Sequence, residues 1–244
     1  MTTRRQRAVG LAVLALIGAA GLWPLPAAAQ EVAIDLGGGT SLSFAAIQLI
    51  ALLTVLSLAP GIAITVTCFP FVVTVLSILR QAMGLQASPP NMLIVSLALF
   101  LTWFVMEPVA TAAWEAGIGP LSRGEVPAET AIPAAMEPFR AFMAARVDSD
   151  TLEHMRDLRP DTEPGAWSVL VPSFMLSEIS RAFQIGFLVF MPFLVIDMVA
   201  AAILMSMGMM MVPPAIVSLP FKLAFFVVVD GWTLISGALV RSYL

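Results

Sequence analysis

Residues 205–220 read MSMGMMMVPPAIVSLP and lie between two long apolar stretches. Five of the seven residues from Met205 to Met211 are methionine, and Pro213 and Pro214 follow almost at once. A helix that only had to cross lipid would use Leu, Ile and Val. Methionine is unbranched and its thioether is polarizable, so it fills irregular gaps and re-packs around a changing neighbour. The two prolines remove two backbone donors and break the helix. Broken backbone at membrane depth persists only where protein or a cavity surrounds it. The segment therefore reads as a deformable constriction inside an assembly. The chain around it reads as an all-α membrane-associated protein of kinked and broken hydrophobic helices.

Composition agrees with that class. The 244 residues are 59% hydrophobic and 11% charged, with mean hydropathy +0.95. A soluble domain carries about 25% charged residues. The net charge of −4 supplies no basic patch to neutralise phosphates, which argues against a nucleic-acid partner. The single cysteine, Cys68, excludes an intrachain disulfide and a Cys-based metal cage. The single histidine, His154, leaves little room for zinc or His-dependent acid–base chemistry.

Residues 1–29 are expected to be a cleaved signal peptide: Arg4, Arg5 and Arg7 form a basic start, residues 8–22 an apolar core, and Ala27-Ala28-Ala29 a small-residue cleavage site. Cleavage places the mature N-terminus outside the cytoplasm. Residues 30–41 form a polar linker with Gly37-Gly38-Gly39 and no following Lys-Ser or Lys-Thr, so it is not a phosphate loop.

Residues 42–113 are expected to be hydrophobic helices. No charge occurs in residues 36–79, and Pro60-Gly61 is expected to divide that run. The part before the division spans a bilayer if a few flanking residues are added, since a spanning helix needs about 20 residues. The part over 61–79 is either a second span or a re-entrant helix buried in protein. A further break at Ser88-Pro89-Pro90-Asn91 precedes an apolar segment from Met92 to Met106.

Residues 107–163 hold 16 of the 28 charges, 11 acidic and 5 basic. Within them, residues 114–165 are expected to form a small, charged, extracytoplasmic helical subdomain, its best helix running over Ala135–Leu158 after a proline-rich approach. If 61–79 does not span, Arg80 lies inside and this acidic region outside, which fits the positive-inside tendency. Residues 166–244 are apolar again and contain two segments long enough to span, about 183–205 and about 215–238, joined by the methionine run.

Charged groups inside such segments cost about 2.5–3.5 kcal/mol at a helix centre on insertion scales, so they face a partner or water. Asp197 and Lys222 sit at similar distances from the turn near 208–214. They are expected to form an ion pair, within one chain or between neighbouring copies. Glu178 and Arg181, spaced i, i+3, are expected to pair on one helical face. Phe183, Phe187 and Phe190 make a stripe that reads as packing. His154 lies among Asp150, Glu153 and Asp157 and reads as a solvated helix residue. Asp148-Ser149-Asp150 lacks the glycine and terminal glutamate of a calcium loop. No catalytic constellation stands out, so no enzyme activity, cofactor or metal is expected. Thioethers do select Cu(I), which keeps a stand-alone Met-lined copper transporter as the alternative.

Three blocks carry a family resemblance: VLSILRQAMG at 75–84, PPNMLIVSLALFLTWFVMEPV at 89–109, and the stretch from Phe174 to Asp230 that includes SEISRAFQIGF, FMPFLVIDM and MSMGMMMVPP. They closely resemble the FliP family, the export-gate proteins of the bacterial flagellar type III secretion system. The resemblance implies an all-helical subunit of the inner-membrane flagellar basal body. It implies a homo-pentamer that assembles with FliQ-like and FliR-like subunits, joins FlhB and FlhA, and passes unfolded flagellar cargo. It also implies a pore gasket at Met209, Met210 and Met211, with Met205 and Met207 nearby, and an inter-subunit ion pair between Asp197 and Lys222. Two departures stand out: Pro70-Phe71 occupies the place of a usual basic residue, and Ile179-Ser180-Arg181 shifts a positive charge by one position.

Overall fold

The computed structural model describes residues 41–85, 89–163, 165–209 and 211–243, without the side chains of residues 41–47, 55, 59 and 60. The expected signal peptide, most of the expected linker, and Met210 lie outside the described residues. The chain divides into two compact units, one ending at Val55 and the other comprising Leu56–Leu244.

Every described residue is in a helix, turn or loop, with no strand among them. Helix α1 (Ser41–Thr65) runs across the boundary between the units. Its described side chains from Gln48 to Ile64 are exposed all round, as suits a helix that faces lipid or another chain. The backbone stays helical through Pro60-Gly61, where the sequence suggested a division. The break falls instead at Val66–Cys68. There the Thr67 hydroxyl accepts from the Phe69 N–H at 3.3 Å. Pro70 sits in the first turn of α2 (Phe69–Ala82), where a missing N–H costs nothing because that group would be unpaired anyway.

Helix α2 is the buried centre of the fold. Phe71, Val72, Val75, Leu76, Leu79 and Ala82 are all buried, against α3 (Asn91–Ala113) and α7 (Trp167–Ser206). Its 14 residues extend only about 21 Å at 1.5 Å per residue, which is short of a hydrocarbon core of about 30 Å. The 61–79 segment is thus neither a uniform span nor one helix: its first part ends α1 and its second is this core helix. Helix α2 approaches α7 closely at Gly186, where a Cβ would press on the branched Ile78 side chain, 3.3 Å from its Cβ.

The helical run of α3 continues through a π-helical turn (Trp114–Ile118) into the short α4 (Gly119–Ser122). The expected helix over 135–158 is two helices, α5 (Ala128–Arg146) and α6 (Ser149–Asp157). They part where Val147 becomes extended and the Asp148 carboxylate accepts from Thr151 N at 3.1 Å, a helix N-cap. That cap accounts for the Asp148-Ser149-Asp150 pattern. Helix α5 persists through Pro133 and Pro138 because its inner face packs on α3, the π turn and α7.

The 40 residues of α7 make a helix of about 60 Å, so the expected span over 183–205 is only its second half. The expected span over 215–238 is two helices, α8 (Pro214–Val228) and α9 (Gly231–Arg241), bent by 61°. The bend sits at Asp230, whose φ of 48° is left-handed, a region that aspartate enters more readily than most residues. Among the described residues, three helical runs are long and apolar enough to cross a membrane, or four if the bent pair counts as one span.

Candidate functional site

Helix α7 ends by a device written into the methionine run itself. Gly208 has φ +73°; its N–H donates to Met205 O at 3.1 Å, and Met209 N donates to Leu204 O at 3.0 Å. These two bonds form a Schellman cap, which needs a left-handed residue and therefore favours glycine. Val212 N then donates to Met209 O at 3.3 Å, and the helix restarts at Pro213-Pro214, with Pro214 opening α8. The prolines thus begin the next helix after the glycine has ended the previous one.

The fold does not bury these methionines in its own core. Met205, Met207, Met209 and Met211 are exposed, Met211 at 97%. They form a loop of flexible apolar side chains turned away from the chain that carries them.

The base of this hairpin is polar and closed. Ser218 and Lys222 lie one turn apart on α8 and grip both oxygens of Asp197 on α7. Ser218 Oγ donates to Asp197 Oδ1 at 2.6 Å, and Lys222 Nζ donates to Oδ2 at 2.6 Å. Lys222 Nζ also donates to the carbonyl of Ala82, the last residue of α2, at 3.1 Å, where a cation complements the helix C-terminus. The side chains are 7% exposed for Lys222 and 34% for Asp197. In this single chain the ion pair is intramolecular and joins three helices.

A second buried cluster surrounds Glu178. Its fully buried carboxylate pairs with Arg181 Nη1 at 3.0 Å and Arg146 Nε at 3.4 Å, and Tyr243 donates its hydroxyl to the other oxygen. The Arg146 guanidinium lies 4.0 Å over the Tyr243 ring and donates to Ser242 O at 2.6 Å. Burial, then the Glu178 charge, push the Tyr243 phenol above its ordinary range. The cluster ties α5, α7 and the residues after α9 together. Sequence reasoning named Glu178 and Arg181 but missed Arg146, Tyr243 and Ser218. Tyr243 carried one signal, being the only tyrosine in an apolar chain. Arg146 carried none, since nothing in its neighbourhood points to a partner 32 residues away.

Of the phenylalanine stripe, only Phe190 packs on the core, while Phe183 and Phe187 are exposed, so the expected packing is not all within the chain. His154 is exposed. Cys68 is buried in the α1–α2 break, and burial pushes its thiol up to about 11. No group of three His, Cys, Asp or Glu side chains capable of holding a metal occurs among the described residues.

The FliP family model matches residues 52–239. This chain belongs to the FliP family. Relatives support the match across nearly the whole length. The flagellar biosynthetic protein FliP of Caulobacter vibrioides is 50% identical over 244 residues, covering 98% of this chain and 91% of its own. FliP of Rhizobium meliloti is 46% identical, covering 96% and 97%. FliP of Bacillus subtilis is 43% identical, covering 81% and 91%. FliP-family membership makes the chain a flagellar export component, and its long apolar helices suit it to a membrane.

Proposed function

We propose that this chain is a pore-forming subunit of the flagellar type III protein export gate. In this reading it passes unfolded flagellar subunits across the inner membrane and is sealed by a methionine gasket. The observation that carries the reading is the exposed loop of Met205, Met207, Met209 and Met211 on a rigid polar base. A loop held at its root and apolar at its tip suits a seal that other copies complete.

In a homo-pentamer, five such loops meet at the axis, and their thioethers exclude water and ions. During export they re-pack around an extended polypeptide, because methionine makes favourable contacts without demanding one shape. Met210 takes part in the same seal. Asp197, with a third of its side chain exposed, reaches toward the adjacent copy while Lys222 holds it, so the pair serves the subunit contact as well as the chain's own hairpin. The exposed faces of α1 and α7 are covered by neighbouring copies and by FliQ-like and FliR-like subunits, with FlhB and FlhA joining the same apparatus.

The test has two parts. The native mass of the detergent-purified chain, co-expressed with its FliQ-like and FliR-like neighbours, is expected to give a complex with several copies of this chain. Alanine at Met209, Met210 and Met211 is expected to raise ion conductance across the membrane while export largely persists. A monomer indifferent to those neighbours, or an ion-tight triple variant, would sink the reading. Stoichiometric Cu(I) binding by the monomer would favour the transporter alternative instead.

A further inference from the structure

A shallow, open groove lies between α3 and α9, and neither the methionine loop nor Glu178, Arg146 or Tyr243 lines it. Leu97, Leu101 and Phe104 form one wall; Trp232, Val240 and Arg241 are on the other. Three observations say what it suits. First, the walls are almost wholly apolar, yet Arg241 makes no hydrogen bond or ion pair among the described residues. Second, its guanidinium folds back one turn over Gly237, lying 3.6 Å from where a Cβ would stand, so the charge is delivered to the cleft. Third, the next two residues are clamped elsewhere: Ser242 O accepts from Arg146 and Tyr243 donates to Glu178. The end of α9 is therefore fixed, with Arg241 left on the groove side. The hydroxyls of Thr233 and Ser236, also in the lining, make no hydrogen bond among the described residues either.

We propose that this cleft binds one anionic phospholipid, its phosphate on Arg241 and an acyl chain along Leu97, Leu101 and Phe104. Charge complementarity selects the headgroup, and the apolar walls select a molecule with a hydrocarbon tail. A basic pocket between membrane helices is a recognised place for an anionic headgroup. The inference rests on membrane placement alone and stands or falls independently of the gate reading.

The test is native mass spectrometry of the full chain, purified with whatever subunits accompany it, after exposure to phosphatidylglycerol or phosphatidylcholine. Phosphatidylglycerol is expected to be retained preferentially, with Arg241→Gln lowering its retention roughly fivefold, as for loss of one lipid-facing cation. Ser236→Trp, which fills the cleft, is expected to abolish retention, and Arg80→Gln to leave it unchanged. Unaltered retention in Arg241→Gln would overturn the proposal. Displacement of the lipid by millimolar inorganic phosphate would overturn it too, by making this a simple anion site. So would crosslinking of Ser236→Cys to an accompanying subunit in a complex that carries no lipid, since a partner helix would then own the cleft.

Discussion

Breaking the Asp197–Lys222 pair from its two ends should not cost the same. Asp197→Asn leaves the Lys222 ammonium, 7% exposed, without a counter-charge, with only the neutral Ala82 carbonyl and the new amide oxygen to accept from it. A charge stranded so deeply costs about 3–5 kcal/mol. Lys222→Met leaves the Asp197 carboxylate 34% exposed, with the Ser218 hydroxyl still donating at 2.6 Å. Water and that hydroxyl offset part of the loss, so about 1–3 kcal/mol is expected. The double variant, with no charge to strand, should cost less than the sum by about 2 kcal/mol, as for residues in one hydrogen-bonded network. Denaturant-induced loss of helical circular dichroism, in one fixed detergent, reads all four proteins. The reasoning fails if Lys222→Met is the costlier single change, or if the two changes simply add.

Three further outcomes follow from the geometry. Gly208→Ala forces an alanine to φ +73°, which should cost about 1–2 kcal/mol and loosen the methionine loop; unchanged stability would mean that the cap is not needed. Tyr243→Phe removes a hydrogen bond to a buried carboxylate and should cost about 1.5–3 kcal/mol, released as faster proteolysis of the chain end; no change in cleavage would show that Tyr243 is not a clamp. Cys68 is neutral and buried, so maleimide should label it only after unfolding. Its thiol is pushed from 9.0 to about 11, so the folded chain holds its proton longer than the unfolded chain. The stability this contributes is complete below pH 9 and is lost as pH rises to about 11; comparison with Cys68→Ala isolates it, and equal alkaline sensitivity would refute the assignment.

Composition and patterning alone establish a membrane-associated all-helical chain, because an apolar excess of this size cannot be hidden in a single soluble core. They also reveal the methionine turn and the partnership of Asp197 with Lys222. Both depend on short-range sequence order: a glycine at 208 followed by two prolines at 213 and 214, and two charges at similar distances from a turn. What they misplace are helix boundaries. Pro60-Gly61 reads as the dividing break and is passed over, while Thr65, Thr67 and Pro70 read only as interruptions of the 61–79 segment and bracket the true one. Likewise, 215–238 reads as one span, although Asp230 turns it by 61°. Local signals of this kind bias a helix boundary without fixing it, since a proline inside a helix can bend it rather than end it.

Tertiary structure alone decides which charges are buried and which partners they keep. Arg146 reaches Glu178 across 32 residues of sequence, Tyr243 reaches it across 65, and Lys222 reaches Ala82 across 140. No periodicity encodes such meetings, because each depends on where separate helices cross. The sequence determines that this chain needs buried charge to be matched; only the packing of α2, α5, α8 and the residues after α9 around α7 determines with what.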